Sequence, residues 1–252
     1  MIIDLYTGYD KRELLVALEA NGHKLRNIVV PKEARYQDGL KEFLDHLHVV
    51  GIDIVNFDED GRQRLDKQDH GNVLLLSAGF PRILDPIQYR RYDYAVNIHP
   101  TLLPKHRGKY QNHVILDGDP QSGLTAHLID EGIDTGPIIA SIRFDLSPFE
   151  TIRSLKRRSI ELESAFVVDV LSGLEDLVQT ATSQDERQAT THLNQRVPAD
   201  SELDPSLPLI DLLPVIRAAD PDLYAAHFWH NGERVIVTIH REDKPREEWD
   251  MV

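Results

Sequence analysis

Residues 72–77, NVLLLS, and residues 93–98, DYAVNI, decide the fold. The first is apolar through its centre, as expected of a strand covered on both faces of a parallel sheet. The second reads as another strand, and it ends on Asn97 and His99. Two positions apart on an extended chain, these side chains point to one face. Pro100 and Pro104 then interrupt the backbone in VNIHPTLLPKHRG, residues 96–108.

Outward from these strands, the first hundred residues alternate strand and helix. MIIDLY, NIVV and IDIVNF read as strands. Between the first two lies KRELLVALEANG, with Leu14, Leu15 and Leu18 on one helical face and Gly22 as a C-terminal stop. LKEFLDHLHVVG reads as a second helix, burying Leu40, Phe43, Leu44 and Leu47. The alternation predicts an α/β, Rossmann-like, doubly wound and mostly parallel sheet. Beyond it, HVILDGD reads as a short helix, LTAHLI as a strand, and DEGIDTGPIIASIRFDL as a loop leading into another strand. Ser147, Pro148 and Glu150 suggest a capping box. It would open a long helix reaching about Leu174, with Ile152, Leu155, Ile160 and Leu162 among its apolar residues. QTATSQDERQATTHLNQ is polar and aperiodic, as in a surface linker. LIDLLPVIRAA reads as a helix limited or kinked by Pro214, and the run around Asn231-Gly232 as a hairpin. The expected division is therefore a domain over 1–178, a linker over 179–205, and a small C-terminal helix and hairpin unit over 206–252.

Composition bounds the function. The formal charge of −14 opposes nonspecific attraction to nucleic acid. No stretch nears the roughly 18 apolar residues of a membrane span, and the N-terminal residues lack the pattern of a secretory signal. With no cysteine, disulfides and thiolate chemistry are excluded. A cytoplasmic location is the expectation.

In doubly wound sheets, ligands sit beyond the carboxyl ends of the strands. Two ends look shaped for this: SAGFPRIL, residues 77–84, and NIHP, residues 97–100. Neither a dinucleotide fingerprint nor a P-loop is present. Alone, Asn97 and His99 read as a strand-end pair satisfied by backbone, and DEGIDTGP, residues 130–137, as an acidic turn. His99, His106 and His113 recur every seventh residue, but Pro100, Pro104 and Gly108 break any common helix. No metal site is expected from that spacing. Lys156, Arg157 and Arg158 read as a solvated helix face, with a phosphate site as the weaker alternative.

Taken together, NIHPTLLPKHRG and GDPQSGLTAHLIDEGIDTGPII resemble the folate-dependent formyltransferase family. That family includes enzymes acting on methionyl-tRNA, glycinamide ribonucleotide and sugar nucleotides. The resemblance follows element order over about residues 1–175 and is specific over 97–139. It implies Asn97, His99 and Asp134 as the catalytic set and N10-formyltetrahydrofolate as formyl donor, with no metal. It implies a folate slot lined by Phe80, Arg82, Ile83 and Leu84 from one loop and Asp130, Glu131 and Ile133 from another. Lys105, His106, Arg107, Gly108 and Tyr110 become candidates for facing the acceptor. The short acidic C-terminal unit fits sugar-nucleotide N-formyltransferases, where such a unit often dimerises, so a nucleotide-linked amino sugar and a homodimer are expected. Another small amine, methionyl-tRNA, hydrolysis of the formyl folate, and a catalytically silent folate-binding module stay open.

Overall fold

The seven expected strands of the N-terminal two thirds join in one sheet in the computed structural model, which describes residues 1–32, 40–50, 52–109 and 111–242. Chain order is β1 (Ile2–Tyr6), α1 (Arg12–Ala20), β2 (Lys24–Val30), α2 (Leu40–Val50), β3 (Asp53–Asn56), α3 (Glu59–Asp66), β4 (Val73–Ala78), α4 (Pro86–Tyr89) and β5 (Tyr94–His99). There follow β6 (Arg107–Gly108), α5 (Asn112–Leu116), β7 (Gln121–Leu128), β8 (Ile138–Asp145), α6 (Ile152–Ser172) and α7 (Leu174–Gln179). The chain closes with β9 (Thr191–His192), α8 (Leu209–Ala218), β10 (His227–His230) and β11 (Glu233–Ile236).

The sheet order is β3-β2-β1-β4-β5-β7-β8. Strands β1 to β5 pair in parallel, whereas β7 runs antiparallel to β5. All six residues of β4 are buried, as its unbroken apolar run requires. Leu14, Leu15 and Leu18 of α1 are buried against this sheet's core, each contributing up to about 1.5–3 kcal/mol. Gly22, at φ 75°, ends α1 as expected: its N–H and that of His23 donate to the carbonyls of Glu19 and Leu18. The short helix α3 has no apolar stripe to announce it. It is started by Asp58, whose carboxylate accepts from Gly61 N–H at 2.9 Å.

The fully buried Asp4 on β1 is held by Arg26 Nε, Asn27 Nδ2 and Tyr92 Oη, each at 2.9 Å. Burial pushes the neighbouring Tyr6 hydroxyl up to about 12 and raises Tyr92 as well, so both phenols stay protonated. Each partner leaves its charge or dipole satisfied, which is what a buried carboxylate needs.

Two sequence expectations are corrected. Ser147 does not cap the long helix: its hydroxyl accepts from Phe149 N–H at 3.1 Å in a separate turn. The cap is the Thr151 and Ser154 pair, each accepting from the other's backbone N–H, at 2.9 and 3.3 Å. Ile160, one of the apolar residues expected in this helix, is 60% exposed, whereas Ile152, Leu155, Phe166, Val167, Val170 and Leu171 are buried. Helix α6 also stops at Ser172, with α7 restarting after Gly173. The hairpin β10–β11 turns on Asn231 (φ 49°) and Gly232 (φ 82°), the paired left-handed geometry that this dipeptide favours. Helix α8 continues through Pro214.

The chain gathers into two compact units, each built from three segments. The first comprises Met1–His99, Leu124–Ile142 and Leu162–Arg187; the second comprises Pro100–Gly123, Arg143–Glu161 and Gln188–Val252. Among the described residues, no helix is long and apolar enough to cross a membrane.

Candidate active site

Strand β5 delivers Asn97 and His99 at its carboxyl end, and antiparallel β7 lays His127 opposite Asn97 and Thr125 opposite His99. Asp134 reaches the same place from the loop after β7. Its backbone sits at φ 53°, a left-handed conformation that Asp tolerates better than most residues. The turn that holds it is closely determined. Asp130 accepts from Gly132 N–H at 3.0 Å and Thr135 Oγ1 at 2.6 Å. A Cβ on Gly136 would stand 1.8 Å from Leu128 O, so only glycine allows the loop to close on β7. Gln184 Nε2 donates to the carbonyls of Asp134 and Gly136, both at 2.8 Å. All of these residues belong to the first unit.

Four polar side chains thereby converge. The Asp134 carboxylate lies 3.4 Å from His99 Nδ1, 3.5 Å from His127 Nε2, and accepts from Asn97 Nδ2 at 3.3 Å. Asn97 Nδ2 also lies 3.0 Å from His127 Nε2. His127 Nδ1 faces the carbonyl of Leu128 at 2.9 Å, and a carbonyl can only accept, so Nδ1 carries the proton. In the neutral ring Nε2 is then the acceptor for the Asn97 amide. His99 and His127 are 5% and 3% exposed, and the Asp134 side chain is 16% exposed. A carboxylate in such surroundings binds more strongly to imidazole and amide donors than it would in water. The arrangement offers an amide N–H, a proton-carrying imidazole and a carboxylate that orients both.

Sequence reasoning brought Asn97, His99 and Asp134 forward and missed His127 and Gln184. His127 carries no motif, and its place opposite Asn97 depends on the β5–β7 register. Gln184 lies in the polar stretch expected as a linker, where Thr182 also bridges to Ile138.

The two loops expected to hold a folate ring belong to the same unit, and Phe80, Leu84 and Ile129 share one apolar cluster. Phe80 is half-buried, edge-on to Tyr6 and Phe57 with centroids 5.2 and 5.1 Å away. Leu84 is buried in that aromatic cluster, which Ile129 also joins. Its side chain belongs to the core. Ile83 is 69% exposed, and Arg82 and Ile133 are half-buried. Glu131 pairs with Arg90 at 2.5 Å, and Asp130 is occupied in its own turn. An exposed isoleucine, a half-buried aromatic and loop backbone suit a flat, heteroatom-rich ring.

The candidates for facing the acceptor lie in the second unit. Lys105 pairs with Asp119 at 2.7 Å, while His106 and Arg107 are each only 3% exposed. Gly108, at φ 90°, lets β9 approach; a Cβ there would meet His192 O at 2.5 Å. Tyr110 lies outside the described residues. Lys156, Arg157 and Arg158 each meet a carboxylate, from Asp220, Glu161 and Glu150, in keeping with a solvated, ion-paired face.

The profile of the formyl transferase family matches residues 52–171. A methionyl-tRNA formyltransferase of Roseobacter denitrificans is 33% identical over 127 residues, covering 50% of this chain and 41% of that protein. The chain thus spans about two fifths of the length of that relative. Among solved structures, a sugar N-formyltransferase from a Shewanella species is similar with a TM-score of 0.74 at 18% identity, covering 97% of this chain and 99% of that one. An N-formyltransferase from Helicobacter canadensis, solved with folinic acid and dTDP-3-aminofucose, has a TM-score of 0.72 at 16% identity and covers 98% of this chain and 93% of its own.

Proposed function

We propose that this chain, a member of the formyl transferase family by its residues 52–171, transfers a formyl group from N10-formyltetrahydrofolate to the primary amine of a nucleotide-linked amino sugar. The observation that carries the reading is the convergence of Asn97 and His99 on Asp134 at 3.3 and 3.4 Å. The formyl folate supplies the carbonyl carbon that the amine attacks, and its oxygen gains negative charge. Asn97 has two amide N–H groups, and the longer of its contacts, to Asp134, is the one a reacting oxygen would take over. His99 carries the proton from the attacking amine toward the leaving nitrogen of the folate. Asp134 holds the imidazole in orientation and favours its charged form. His127, with its tautomer set by the Leu128 carbonyl, keeps the Asn97 amide aligned.

The acceptor class rests on likeness along nearly the whole of both chains to sugar N-formyltransferases, and on the net charge of −14, which disfavours a large RNA. On this reading residues 1–178 carry catalysis and 206–252 bring two copies together. Leu209 and Ile210 of α8, 65% and 71% exposed, line an open apolar groove with Phe149 and Leu213, a surface suited to a second copy.

The deciding experiment incubates the full chain with N10-formyltetrahydrofolate and a panel of amino-sugar nucleotides, with methionyl-tRNA alongside, and weighs the acceptors by mass spectrometry. A formylated sugar nucleotide is expected. Formylated methionyl-tRNA alone would overturn the acceptor, and formate release without any amine would make the enzyme a hydrolase. Binding of folate with no turnover of any acceptor would overturn the catalytic reading. For association, Ile210→Glu is expected to halve the mass measured in solution by light scattering.

A further inference from the structure

His106, His113 and His192 come together in the second unit with Asp117 and Asp119. His106 and Asp119 fall within the stretches that carry the family resemblance, but none of the five belongs to the catalytic set that it implies. His106 Nε2 lies 2.7 Å from Asp119 Oδ2. A carboxylate can only accept, so Nε2 carries the proton and the Nδ1 lone pair points the other way. It points at His192 Nε2, 3.3 Å away, with Asp117 Oδ2 3.8 Å from the same Nδ1. One donor atom each from His106, Asp117 and His192 lies within 4.8 Å of the others.

We propose that His106 Nδ1, His192 Nε2 and the Asp117 carboxylate form a site for a divalent transition-metal ion of the zinc type, with Asp119 as the carboxylate that orients His106. A tetrahedral ion with bonds of about 2.0–2.1 Å to nitrogen sets neighbouring donors about 3.3–3.4 Å apart. The His106–His192 separation already has that value. An oxygen and two imidazole nitrogens without thiolate suit zinc, cobalt or nickel better than calcium or magnesium. The proton on the outer nitrogen of a ligand imidazole, given to a carboxylate, is the supporting contact that metal sites commonly show. His113 stacks on His192 at 3.5 Å between centroids, fixing the plane of that ring.

The backbone brings the ligands together in a defined way. His106, at φ 58°, precedes β6, which pairs in parallel with β9 so that Gly108 lies beside His192. Asp117 caps the C-terminus of α5. Its exposed carboxylate gives an ion a way in, while His106 is buried. An ion here would tie β6, β9 and the end of α5 together and so hold the Lys105–Gly108 segment. It takes no part in formyl transfer, and the proposal stands apart from the proposed reaction.

The test uses untagged full-length chain, stripped with a chelator and dialysed, and titrated with cobalt(II) followed by visible absorption. About one equivalent per chain is expected to give the intense bands of a four-coordinate site, displaced by zinc and matched by elemental analysis. His192→Ala and Asp117→Ala should each weaken binding at least about tenfold, and Asp119→Asn about 10–100-fold. Exposed His230→Ala should leave it unchanged. Circular dichroism of every variant separates lost binding from lost folding. No cobalt band in the wild-type chain, or bands that persist undiminished in folded His192→Ala and Asp117→Ala, would overturn the proposal.

Discussion

The imidazole–carboxylate cluster around Asp134 in the first unit and the one around His106 in the second are built in opposite ways. In the first, a single carboxylate, Asp134, sits among Asn97, His99 and His127; Asn97 donates an amide N–H to it and His99 Nδ1 faces it, while His127 accepts from Asn97 and donates to the Leu128 carbonyl. In the second, the carboxylates stand on either side of His106, and the inner imidazole nitrogens face each other across 3.3 Å. On the proposed readings, the first arrangement handles protons beside an amide and the second offers lone pairs to a cation. The same residue types therefore give different chemistry, and the direction in which each nitrogen points makes the difference.

The comparison can be broken most forcefully at the first cluster. His99→Ala should lower kcat by about 10²–10⁴-fold, the usual worth of a positioned proton carrier. Asn97→Ala should cost about 10²–10³-fold as a lost oxyanion donor. Both are read in steady-state formylation assays, and unchanged kcat in either variant would remove that residue from catalysis. His127→Ala should lower kcat by tenfold or more, up to about 10²-fold, through misalignment of Asn97. Because His127 acts through Asn97, the double variant Asn97→Ala, His127→Ala should be little worse than Asn97→Ala alone, whereas a merely structural role would add a further loss.

Gly136→Ala tests the turn that presents Asp134. The new methyl collides with Leu128 O, so urea unfolding should show a loss of about 1–3 kcal/mol together with reduced kcat. The smallest effect belongs to the second cluster without metal. His113 and His192 have folded pKa values below the ordinary 6.5, so the unfolded chain takes up their protons first. The stability their neutral forms provide is whole above about pH 6.5 and drains as the pH falls toward the folded values. The thermal midpoint should therefore drop on mild acidification, and His192→Gln with His113→Gln should flatten that drop.

Much of the fold is legible in the sequence because it is written in local patterns. The apolar run of β4, the leucine stripe of α1, Gly22 and the Asn231-Gly232 turn each act over a few residues, and each element forms where those patterns place it. The long helix shows the limit. Ser147 and Glu150 match a capping pattern, yet Thr151 and Ser154 do the capping. Several short polar residues in a row offer competing caps, and packing of Ile152 and Leu155 selects among them. The short polar helix α3 leaves no periodic trace for a similar reason: it buries only Gly61 and Leu65.

By itself the sequence determined the strand and helix alternation, the strand end bearing Asn97 and His99, and the glycine-rich turn bearing Asp134, since these follow from local residue chemistry. Tertiary structure decided which side chains meet. Only the antiparallel register of β5 and β7 sets His127 against Asn97, and only the β6–β9 pairing brings His192 across from His106, 86 positions earlier. The spacing of His99, His106 and His113 does not show that His106 meets His192 rather than either of them, because that partner comes from a distant strand. Contacts of that kind are fixed by the packing of the whole unit.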